Sequence, residues 1–114
     1  MNGKNQIPLT GLLLLALAGA SPAMAQVDAE AAQELARRNE CFKCHAIDKK
    51  KKGPAYTRVA AKLKTKPDGV ETVIEHITTG PLVQMEDGTH ENHRIIDTKD
   101  PKQLRNPAEC ILSL

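Results

Sequence analysis

The chain has 114 residues, with 16 Lys and Arg against 14 Asp and Glu, three cysteines, one Phe, one Tyr and no Trp. That length suits one small domain. The near-neutral balance excludes a general nucleic-acid binder, and three cysteines exclude a disulfide framework, because one is left over. With so few aromatics the core is marginal, and a bound apolar cofactor would supply the missing area.

The opening stretch, MNGKNQIPLTGLLLLALAGASPAMAQ, has a basic residue at Lys4, an apolar run from Leu12 to Ala20, and then small residues. The run falls far short of the roughly 20 residues that span a bilayer. Ala23-Met24-Ala25 has the form cut by signal peptidase, so residues 1–25 read as a cleaved export signal and 26–114 as the mature domain. An uncleaved anchor is the alternative. No Cys follows the apolar run, which argues against a lipoprotein. The expected location is periplasmic, with no membrane span in the mature protein.

Apolar spacing predicts four helices. The first covers about Ala29 to Asn39, with Asp28 as its cap. The second follows Pro54 and carries Tyr56, Val59, Ala60 and Leu63. The third follows Gly69, carries Val70, Val73, Ile74 and Ile77, and ends at Gly80. Asp100-Pro101 opens the fourth, which holds Leu104, Ala108, Ile111 and Leu112. The stretch between the third and fourth, GPLVQMEDGTHENHRIIDTK, reads as a long polar loop. No alternation marks a strand, so the class is all-α.

Residues 41–45 read CFKCH. A zinc site would need a second ligand pair, which Cys110 alone does not supply. A redox dithiol would need a βαβ pattern, which is missing. In c-type haem attachment the two thiols add to the haem vinyl groups, and the next side chain lies beneath the iron. Cys41 and Cys44 are therefore the expected covalent anchors of one haem c, with His45 as proximal iron ligand.

The segment CFKCHAIDKKKKGPAYTRVAAKL resembles the haem-binding segment of the small bacterial monohaem class I cytochromes c. In that family a Gly-Pro follows the haem histidine by eight residues, as Gly53-Pro54 follows His45 here. The resemblance implies that the Pro54 carbonyl orients the proximal imidazole. It also implies the class I fold: about four helices wrapped around one covalent haem, with a long loop before the last helix. The family's second axial ligand is a Met in that loop. Met85 is the only Met after the signal segment, but it comes earlier in the loop than the family's Met, and Glu86 follows it instead of Pro. Counting back from the last helix reaches His93 or Arg94. Loop reach therefore favours His93 as sixth ligand, with Met85 as the alternative and His90 third. Ile95 and Ile96 beside His93 would pack on the haem edge. His76 lies off the apolar stripe of its helix and reads as a surface residue.

The chain departs from the family where the first and last helices cross. Ala36 and Cys110 stand where the family has aromatics, and Pro107 falls inside the last helix. Pro107 implies a kink, or a break with Asn106 capping a second segment. Cys110 reads as a small buried apolar residue, with a free redox thiol as the alternative.

Lys43 and Lys49–Lys52 cluster around the attachment segment. The resemblance implies that such lysines ring the haem edge and steer redox-protein partners of opposite charge. Glu71, Glu75, Glu86, Asp87 and Glu91 gather elsewhere and would give the molecule a dipole. The expectation is a periplasmic monomer that carries one electron on its haem, and not an enzyme. A haem-based binder or sensor with a weak or absent sixth ligand is the competing reading. A peroxidase-like enzyme comes third, since Arg94 beside His93 only hints at the needed pair.

Overall fold

The computed structural model describes residues 26–114, with Gly3, Gly11 and Gly19 ahead of them; the export signal read over residues 1–25 otherwise lies outside the described residues. Along the chain come α1 (Ala29–Arg38), a 3-10 turn (Cys41–Lys43), α2 (Tyr56–Leu63), α3 (Gly69–Thr79), β1 (Leu82–Gln84), β2 (His90–Asn92) and α4 (Pro101–Leu112). The four expected helices are present, and capping chemistry sets their ends. Asp28 accepts the Ala31 N–H at 3.0 Å, and Arg37 and Arg38 in the last turn of α1 complement its dipole. Asp100 accepts the Lys102 N–H at 2.9 Å with Pro101 at the first position of α4. Gly80 closes α3 in the left-handed conformation.

Helix α4 packs against α1, α2 and α3. The buried apolar set is Ala32 and Leu35 from α1, Ala55, Ala60 from α2, Val73 from α3, and Leu104 and Ala108 from α4. Only three of these are larger than alanine. Burying a Leu or Val gains roughly 1.5–3 kcal/mol, while ordering one residue costs of order 1–2 kcal/mol. Protein side chains alone therefore leave the core underfilled, as the composition implied.

The α1–α4 crossing is rebuilt with polar contacts. Ala36 and Cys110 are both only half-buried. In place of an aromatic contact, the Asn106 amide grips the Asp28 backbone: Oδ1 accepts the Asp28 N–H at 2.8 Å, and Nδ2 donates to the Asp28 carbonyl at 2.8 Å. Asn106 thus caps no second segment, and α4 runs unbroken through Pro107. The missing N–H falls opposite Gln103, which is exposed, so solvent can satisfy its carbonyl. The Pro107 ring itself is buried.

The loop before α4 is not wholly irregular. Strands β1 and β2 pair antiparallel, with Leu82 opposite Asn92, Val83 opposite Glu91 and Gln84 opposite His90. The turn is closed by Gly88 N–H to the Met85 carbonyl at 3.0 Å and Met85 N–H to the Thr89 carbonyl at 2.7 Å. Strands of three residues are too short to show alternation. Asp87-Gly88, with Gly88 at φ +84°, was the available hairpin signal.

Candidate functional site

The chain leaves α1 through Glu40, whose φ of +59° turns it into the 3-10 segment. The Cys41 carbonyl then accepts the N–H groups of Cys44 at 3.2 Å and His45 at 3.0 Å. This tight turn gathers Cys41, Cys44 and His45, all half-buried, with both thiols free. Burial pushes the Cys41 thiol up in pKa, opposed by the Tyr56 hydroxyl beside it; burial likewise raises the Tyr56 phenol.

The His45 imidazole is fixed on three sides. Its Nδ1 lies 2.7 Å from the Pro54 carbonyl; a carbonyl only accepts, so Nδ1 carries the proton and Nε2 is left free. Tyr56 stacks on the ring at 5.0 Å between centroids and 20° between planes. Gly53 closes the third side. A Cβ there would meet His45 Cε1 at 2.7 Å and Nδ1 at 3.0 Å, so any larger residue displaces the ring.

Of the three loop candidates, His93 is the one brought to His45, with ring centroids 6.0 Å apart. Its Nδ1 lies 2.8 Å from the Arg94 carbonyl, so here too the free nitrogen is Nε2. Burial, then the neighbouring His76, lowers the His93 pKa and favours the neutral ring that ligates metals. The His93 N–H donates to the Pro81 carbonyl at 2.8 Å, and the His93 carbonyl lies close against Gly80, where a Cβ would meet it at 2.7 Å. Met85 sits instead in the hairpin turn, in a shallow pocket with Lys52, Glu86, Asp87, Thr89 and Glu91. His90 is exposed on β2.

His76 is not the surface residue expected. It is half-buried and meets His93 edge-on, with centroids 4.4 Å apart and planes at 68°. Burial lowers its pKa. The apolar stripe of α3 gave no sign of this, because the contact comes from the loop folding back after the hairpin. Of the two isoleucines expected on the haem edge, Ile95 is exposed and Ile96 half-buried.

The expected charge separation is also weaker than read. The hairpin carries Glu86 onto Lys50 as an ion pair, and Lys52 lies near enough to Asp87 to lower its carboxyl pKa slightly, after its stronger bonds to Thr89. Lys43 pairs with Glu40, and the Lys51 ammonium donates to the Phe42 carbonyl. Among the described residues Lys49 and Lys52 make no ion pair.

Two imidazoles on opposite sides of one metal, each with a nitrogen about 2 Å from it, place their ring centres roughly 6 Å apart. The 6.0 Å between His45 and His93, with both Nδ1 atoms tied to carbonyls, meets that requirement. Two thiols at the attachment spacing stand beside it. The donor set therefore fits a covalently bound haem.

Comparison with known proteins agrees. Residues 29–111 match the Cytochrome c family. Cytochrome c-551 of Pseudomonas denitrificans is 44% identical over 48 residues, covering 42% of this chain. The chain spans 58% of the length of that curated relative. The class 1 cytochrome MtoD of Sideroxydans lithotrophicus ES-1 superposes with a TM-score of 0.74 at 44% identity, over 77% of this chain and 97% of that one. Wild-type cytochrome c552 of Nitrosomonas europaea gives 0.56 at 25% identity, over 71% and 96%. The chain belongs to the cytochrome c family, whose cofactor is covalently bound haem c.

Proposed function

We propose that this protein is an exported, periplasmic electron carrier holding one haem c, with Cys41 and Cys44 as thioether anchors and His45 and His93 as axial ligands. The observation that carries the reading is the pair of imidazoles with ring centroids 6.0 Å apart, each donating its Nδ1–H to a backbone carbonyl. The haem supplies a one-electron couple. The chain's own residues hold it still. The Pro54 carbonyl accepts a hydrogen bond from His45 Nδ1–H and so raises the basicity of Nε2; Tyr56 and Gly53 fix the ring plane; the Arg94 carbonyl does for His93 what Pro54 does for His45. Electron transfer makes and breaks no bond at the metal, so two firm ligands suffice and no catalytic residue is assigned.

Two imidazoles give a lower potential than His and Met, because thioether sulfur favours the ferrous state. Met85 remains the alternative sixth ligand only if the hairpin turn moves toward His45. A redox protein carrying acidic groups would dock at the exposed lysines. Lys49 and Lys52 lead that role, since Lys43 and Lys50 already have carboxylate partners.

The carrier and the small-ligand binder differ in one test. Reduced, haem-loaded protein mixed with carbon monoxide at neutral pH should keep its six-coordinate spectrum for minutes. Uptake complete on mixing would overturn the carrier reading in favour of a binder.

A further inference from the structure

Three consecutive residues at the end of α1 reach the segment that carries His93. The Arg38 Nε donates to Asp97 Oδ2 at 3.3 Å. Asn39 makes a two-way link: its Nδ2 donates to Asp97 Oδ1 at 3.1 Å, and its Oδ1 accepts the Asp97 N–H at 2.9 Å. The same Nδ2 also donates to the Leu35 carbonyl at 2.9 Å. Glu40 forms an ion pair with Arg94. Each end of the connection lies next to the site: Glu40 precedes Cys41, and Arg94 follows His93.

Two features mark these contacts as more than surface decoration. Asn39 is the one polar residue in the buried set of the described residues. Glu40 is the only non-glycine residue among them at positive φ, a conformation that glycine adopts more easily. A glycine there would relax the backbone and abandon Arg94.

We propose that Arg38, Asn39 and Glu40 form a clasp that holds His93 in place and sets how often it releases the iron. They are positioning residues, acting through the loop. The proposal rests on the reading of His93 as axial ligand. On the opposite side the same segment is held by His93 N–H to Pro81 at 2.8 Å, Ile96 N–H to Ile77 at 2.9 Å, the Asn92 amide to the Gly80 carbonyl at 3.0 Å, and the His76 ring against His93. Those contacts fix its height above α3, and the clasp fixes its approach to the attachment turn. The members are unequal. Glu40 and Arg94 side chains are 39% and 63% exposed, and an exposed pair contributes little. The Asn39–Asp97 link is part-buried and doubly bonded, so its loss costs more.

The test is the rate at which saturating cyanide displaces the sixth ligand in the ferric holoprotein, a rate limited by release of His93. Glu40→Gly is expected to speed displacement about threefold while leaving the melting temperature equal or higher, because the backbone strain is relieved. Arg94→Gln should match it, and the double variant should be no faster than either single one. Asn39→Ala should speed it about tenfold or more. Lys43→Gln, which removes the other cation on Glu40, should leave the rate unchanged. Wild-type rates in both Glu40→Gly and Arg94→Gln would overturn the clasp. His93→Ala, run alongside, separates the two ideas: if it changes neither spin state nor rate, the axial assignment itself fails.

Discussion

At the scale of single residues, the proximal side was open to sequence reading and the distal side only partly so. CFKCH and Gly53-Pro54 are contiguous patterns whose spacing encodes their geometry, and the Pro54 carbonyl and Gly53 both lie against the His45 ring. Gly53→Ala tests how tight that geometry is. Its Cβ would overlap Cε1 of His45, costing about 1–3 kcal/mol as an overpacked site and tilting the imidazole off the Pro54 carbonyl. A weaker bond there makes the ring less basic, so the potential should rise in a redox titration. His93 could be favoured from loop length, but His76 could not be placed beside it. That contact joins a helix to a returning loop, and no local periodicity records such a meeting. Glu40 was equally silent, since nothing in its neighbours announces a left-handed glutamate paired with Arg94.

At the scale of elements, caps and apolar spacing gave all four helices, and the departures have local physical causes. Pro107 was read as a kink or break, yet α4 runs through it because Gln103 faces solvent and the ring is buried. An interior proline costs about 3 kcal/mol in propensity, while losing two buried methylenes on truncation forfeits roughly 1.6 kcal/mol. Pro107→Ala should therefore stabilise the protein by about 1 kcal/mol, or roughly 4–8 °C in a thermal melt. Asn106→Ala acts in the opposite direction. It strips both bonds from the Asp28 backbone and should cost about 1–2 kcal/mol, read as a lower denaturant midpoint. The hairpin leaves little trace in the sequence because its strands are three residues long, although Asp87-Gly88 marks its turn. Gly88→Ala, at φ +84°, should disturb the turn that holds Met85 and leave the axial spectrum untouched.

At the scale of the whole molecule, a core of small residues and a loop tied down by charged groups make stability depend on both cofactor and pH. Replacing both Cys41 and Cys44, the proposed thioether anchors, by alanine should cost the chain most of its far-ultraviolet helical signal at room temperature. Acid acts through the loop. The Asn39 side chain, then Arg38, holds the Asp97 carboxyl below its ordinary pKa. A depressed folded value contributes stability in full above the unfolded value near 4 and loses it as the pH falls through the lower, folded one. Low-spin haem signal should thus decay below about pH 4, and Asp97→Asn should flatten that limb of the titration.

The central claim is that His45 and His93 hold the iron between them. The absorption spectrum of the ferric, haem-loaded protein tests it most directly, scanned into the far red and repeated on His93→Ala and Met85→Leu. The account predicts a low-spin spectrum without the far-red band of an iron–sulfur bond, unchanged in Met85→Leu and high-spin in His93→Ala. A far-red band that disappears in Met85→Leu and survives in His93→Ala would contradict it.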